Sequence, residues 1–73
     1  MKKAKTLREL RKERRMTQTE VAEGSGVKFS TYTALEYGYR SPSLSAAQKL
    51  ASFYGVKIEE IIFKKKERNE DGK

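Results

Sequence analysis

Between Met16 and Pro42 the chain reads MTQTEVAEGSGVKFSTYTALEYGYRSP, and its punctuation leaves room for little except two short helices meeting at a tight turn. Thr17, followed three residues later by Glu20, forms a capping box that opens a helix reaching about Gly24, with Val21 and Ala22 on its inner side. Met16, just before the cap, is placed to staple against Val21. Gly24, Ser25 and Gly26 break that helix, and Gly26 can take the left-handed backbone that a sharp reversal needs. Tyr32 and Leu35 then fall on one face of a second helix, predicted over Phe29 to Tyr37 and stopped by Gly38.

The remainder divides by the same signals. Thr6 and Glu9 make another capping box, and Leu7 and Leu10 give a narrow apolar stripe on a first helix running to about Arg15. After a loop from Gly38 to Pro42, Ser43 caps a fourth helix to about Tyr54, where Leu44, Ala47, Leu50, Ala51 and Tyr54 follow helical spacing. Gly55 ends it, and Ile58, Ile61 and Ile62 predict a short fifth helix from Ile58 to Phe63. No segment alternates apolar and polar residues far enough to call for a strand. The expectation is therefore an all-α, compact five-helix domain over residues 6–63. A basic arm precedes it at 1–5, and a charged, fraying tail follows at 64–73.

Charge is concentrated at the two ends. Residues 1–15 hold eight Lys or Arg against Glu9 and Glu13, the last ten hold five against three acids, and the middle is nearly balanced, for a net charge of +7. Such a distribution favours a polyanionic partner, because Lys and Arg beside phosphates release counterions; the C-terminal run reads equally well as a solubilising tail. No apolar run follows the basic N-terminus, so a signal peptide is not expected, and none approaches the ~20 residues of a membrane span. With 73 residues and no cysteine, the core is small and unstapled, as suits a reducing cytosol.

The elements LRELR, MTQTEVAEGSGV, LEYG, PSLS and KLASFYGVKIEEII, in this order from about Leu7 to Ile62, resemble the Cro and phage-repressor type of helix-turn-helix, the Xre family of bacterial and phage regulators. The resemblance implies a lambda-repressor-like fold whose second and third helices form the DNA-binding unit. It also assigns roles by position. Thr17 and Gln18 would meet a DNA phosphate at the start of the second helix, Gln18 also bracing the recognition helix. Lys28, Phe29 and Ser30, with Thr33 and Ala34 one turn on, would face base edges. Tyr39, Arg40 and Ser41 would approach the backbone where relatives commonly carry Lys or Arg. Arg11 and Glu36 would form a largely buried ion pair joining the first and third helices.

Several positions depart from the family pattern. The reading set is poor in hydrogen-bonding discrimination where relatives often have Gln, Arg or Asn, which raises the share left to DNA shape. Lys28 stands where a small capping residue is usual, and an ammonium cannot accept the free amide hydrogens, so a looser first turn is expected there. Phe29 has three readings: contact with DNA, packing against Tyr32 or the turn, and contact with a partner. Tyr37 reads as a phosphate contact or as apolar cover for the loop. Phe53 and Phe63 are candidates for a homodimer contact, or else complete the core.

An enzyme is not expected. The chain has no His or Cys, no phosphate-cradling glycine loop, and no paired carboxylates beyond the neighbours Glu59 and Glu60. Catalytic residues, metal and cofactor are all expected to be absent. The reading is a cytoplasmic, nucleoid-associated transcriptional regulator binding double-stranded DNA, a repressor dimer on a palindromic operator. With no room for a sensor domain, control would come from concentration, proteolysis or a protein partner such as a toxin or antirepressor. The alternatives are an antitoxin-type interaction module that also binds its operator, and a restriction-modification controller protein.

Overall fold

The computed structural model describes residues 4–63. The expected arm at 1–5 is described only at Ala4 and Lys5, and the expected tail at 64–73 lies outside the described residues. In chain order the elements are β1 (Lys5–Thr6), α1 (Leu7–Glu13), α2 (Gln18–Ser25), α3 (Phe29–Tyr37), α4 (Leu44–Tyr54), a 3-10 turn (Ile58–Glu60) and β2 (Ile61–Ile62).

Each helix starts and stops for local reasons. Thr6 accepts from the Glu9 amide while the Glu9 carboxylate accepts from the Thr6 amide, and Thr17 and Glu20 repeat the arrangement at α2. Ser43 caps α4 by accepting from the Ala46 amide. The turn between α2 and α3 hinges on Gly26 at φ 82°, where a side chain would be strained. α1 is shorter than expected: Arg14 is its C-cap and Arg15 takes a positive φ of 55°, so the chain turns before Met16.

The helices enclose one core in which Leu7, Val21, Tyr32, Leu35 and Leu50 are the largest fully buried side chains. Met16 packs half-buried against this cluster. Burying apolar area at roughly 25 cal/mol per Å² is the main force holding so short a chain together.

The segment after Gly55 corrects two expectations. The predicted fifth helix over Ile58 to Phe63 is a single 3-10 turn followed by an extended pair of residues, and strands, read as absent, are present. β2 runs parallel to β1, Lys5 opposite Ile61 and Thr6 opposite Ile62. A six-residue helix has too few internal hydrogen bonds to repay its nucleation. The extended form instead pairs with the chain start, buries Ile61 to 6 % exposure and leaves Ile62 outside. The domain is thus mostly helical, with four α-helices among the described residues.

Candidate nucleic-acid interface

The inner face of α3 is anchored by a hydrogen-bonded cluster. Arg11 of α1 meets Glu36 of α3 through two bonds, Nε to Oε2 at 2.7 Å and Nη2 to Oε1 at 3.2 Å. Gln18, the first residue of α2, donates its Nε2 to Glu36 Oε1 at 2.7 Å. Tyr32 donates its hydroxyl to Glu36 Oε2 at 3.0 Å and shares a hydrogen bond with the Tyr54 hydroxyl of α4 at 3.1 Å. One carboxylate therefore ties three helices together, and through Tyr32 the fourth. Arg11 also donates to the Met16 carbonyl, pinning the turn into α2. Among the described residues no buried side-chain polar atom is left without a partner.

Electrostatics follow from this geometry. Burial opposes the Glu36 charge, but hydrogen bonds from Arg11, Gln18 and Tyr32 outweigh it and hold the carboxyl below the usual range. The hydrogen bond to Glu36 raises the Arg11 guanidinium in turn. Burial drives the Tyr32 and Tyr54 phenols up, so both hydroxyls keep their protons.

The outer face of α3 carries no such commitments. Lys28, its N-cap, has no side-chain capping bond, as the sequence led one to expect. Lys28, Phe29 and Ser30 are exposed, Phe29 at 49 %. Thr33 and Ala34 lie one turn further on and are half-buried, and the Thr33 hydroxyl donates back to the Ser30 carbonyl at 3.1 Å. Beyond Gly38, Tyr39, Arg40 and Ser41 are exposed in the loop, and the Tyr39 ring lies 6.2 Å from that of Tyr37. Thr17 stands beside Gln18 with its hydroxyl oxygen accepting from the Glu20 amide.

The expected pairing of Arg11 with Glu36 is present, and Gln18 braces α3 through the same carboxylate, a partner the sequence did not name. Sequence reading also missed Arg14. Its guanidinium stacks 4.9 Å from the Tyr54 ring centre and donates to the Tyr54 and Leu10 carbonyls, closing α1 onto the end of α4. Nothing in the local pattern marks that contact; tyrosine, rather than phenylalanine, at two inward positions signals instead the hydroxyl bond between Tyr32 and Tyr54, since a buried phenol needs a partner. Phe53 and Phe63 are both half-buried against the core; Phe53 packs edge-on to Tyr54 and lays its rim over Gly24.

Residues 7–61, which hold α3 with its locked inner face and the glycine turn that leads into it, match the Helix-turn-helix family model. This chain belongs to that family, in its Xre type. Its relatives are named as transcriptional regulators. It is similar to the cryptic phage CTXphi transcriptional repressor RstR of Vibrio cholerae, 52 % identical over 56 residues that cover 77 % of this chain and 50 % of that protein. An uncharacterized HTH-type transcriptional regulator of Archaeoglobus fulgidus is 42 % identical over 56 residues, covering 77 % and 79 %. The HTH-type transcriptional regulator AnsR of Bacillus subtilis is 36 % identical over 62 residues, covering 85 % and 53 %. The chain thus spans about half the length of RstR and of AnsR. No solved structure matches it. The chain thus carries a DNA-binding helix-turn-helix domain similar to that of named transcriptional regulators.

Proposed function

We propose that the protein is a repressor that binds a palindromic operator in double-stranded DNA as a homodimer, acting in the cytoplasm at the nucleoid. The observation that carries this reading is the division of α3: its inner face is locked by Glu36, while Lys28, Phe29 and Ser30 stand free on the outer one. In this reading those three residues enter the major groove, with Thr33 and Ala34 behind them. Lys28 donates to guanine, Ser30 bonds a base edge, and Phe29 and Ala34 meet thymine methyl groups.

Phosphates flank the groove. The Gln18 amide has two N–H donors; one is spent on Glu36, and the second, with the free backbone amides of the α2 start, is available to a phosphate oxygen. Thr17, Tyr39, Arg40 and Ser41 extend the same contact. A single recognition helix spans few base pairs, so two copies related by a two-fold axis supply the needed length. Phe63, which follows the exposed Ile62, is better placed for the dimer contact than Phe53, which is engaged between α2 and α4. Repression needs only occupancy of the promoter.

Selection of binding sites from random duplex DNA, followed by salt titration of the winner, tests the proposal. A palindromic consensus, bound with steep salt dependence by a species of twice the chain mass, is expected. Weak binding that ignores sequence, together with tight capture of a protein partner, would replace it with the antitoxin-type reading.

A further inference from the structure

The outer face of α1 carries a charge that neither the core nor the helix-turn-helix uses. Arg8 is exposed, and it takes part in no ion pair among the described residues. Lys12 follows it by one turn of α1 and Lys5 precedes it in β1, so neither position offers a counter-charge. The nearby acids are committed elsewhere. Glu9 caps Thr6, Glu13 is bound by Lys5 and lies near Arg14, and Glu36 is bound by Arg11, Gln18 and Tyr32.

Arg8 lines a cleft of about 240 Å³ together with Thr6, Glu36 and Tyr37. Glu36, which lines this cleft, is also the carboxylate to which Gln18 donates, so the cleft and the start of α2 share one residue. Tyr37, 52 % exposed, also lines it and brings a phenol hydroxyl. The Glu36 carboxylate does not repel an anion strongly, because Arg11 neutralises it.

We infer that Arg8, with Tyr37 of the same cleft, binds a backbone phosphate of duplex DNA one step beyond the phosphate met by Gln18. The inference rests on the DNA-binding reading and extends its footprint from α2 and α3 onto α1. An arginine suits the task, since its guanidinium presents paired donors to a phosphate. Contacts of this kind add affinity without sequence preference, which fits a reading face with few discriminating donors.

Fluorescence anisotropy on the selected operator and on a scrambled duplex of equal length tests it. Arg8→Gln is expected to weaken both duplexes alike, by about fivefold near 0.1 M salt, and to lower the slope of log affinity against log salt by about one. Arg8→Lys should restore the slope. Lys57→Gln, which removes the same charge at the far end of α4, should change either duplex by less than about twofold. Tyr37→Phe should weaken both by about twofold with the slope unchanged, giving a second readout should Arg8→Gln lower the melting temperature. An unaltered slope in Arg8→Gln, equal losses in Lys57→Gln, or no loss in Tyr37→Phe would overturn the inference while leaving the regulator reading intact. A wild-type protein that binds neither duplex would overturn both.

Discussion

The two faces of α3 are built on opposite plans. Tyr32, Leu35 and Glu36 turn inward, where every polar atom has a partner and one carboxylate answers to three neighbours. Lys28, Phe29 and Ser30 turn outward, with no side-chain cap and an exposed ring. A helix that must read a surface cannot afford to shift as it does so, and its rigidity is supplied entirely from behind. The front is then free to vary without disturbing the fold.

That contrast can be broken most severely at its inner side. Glu36→Ala strands Arg11 and removes the acceptor of Gln18 and Tyr32, and should cost about 3 kcal/mol, lowering the melting temperature by roughly 12–24 °C and weakening every DNA sequence together. Thermal denaturation checks the first part; an unchanged melting temperature would mean that the cluster does not hold the domain. Acid offers a gentler route. Because the folded Glu36 carboxyl titrates below its unfolded value, the stability it contributes is present above about pH 4 and is lost as pH falls through the lower, folded value. Melting curves from pH 7 to pH 3 should show this loss, and Glu36→Gln should flatten it.

The outer face should respond in the opposite manner. Lys28→Ser supplies the missing acceptor at the head of α3 and should raise stability by about 1 kcal/mol while changing base preference, as read by melting and repeat site selection. Phe29→Ala should leave stability within about 0.5 kcal/mol, since half of the ring is already in water, and should shift the selected sequence at one or two base pairs. A loss of stability here as large as that of Glu36→Ala would erase the distinction between the faces.

What could be read from the chain beforehand follows the range of each interaction. The capping boxes of Thr6 with Glu9 and Thr17 with Glu20, and the glycine stops, depend on residues three or four apart, so they were visible in order. The ion pair of Arg11 with Glu36 was accessible only by resemblance to a family. Arg14 over Tyr54 joins residues 40 apart and carries no local pattern. Phe53 looked surplus because the inward stripe of α4 was already full. Its use depends on Gly24, whose missing side chain leaves a notch that an added Cβ would fill to within 2.5 Å of the ring. Ile58, Ile61 and Ile62 carried helical spacing, yet the partner that draws them out straight is at the other end of the chain.

That ladder has a kinetic meaning as well. The helices and the turns between them form from contacts close along the chain, whereas Lys5 and Ile61 meet only after a loop of more than fifty residues has closed. Two residues on each side provide little to hold it, so the clasp is the last part to form and the first to open when the native state breathes. The charge of Lys5 is thereby leashed or let loose by an event some fifty residues away, and its reach becomes a property of the whole fold's dynamics.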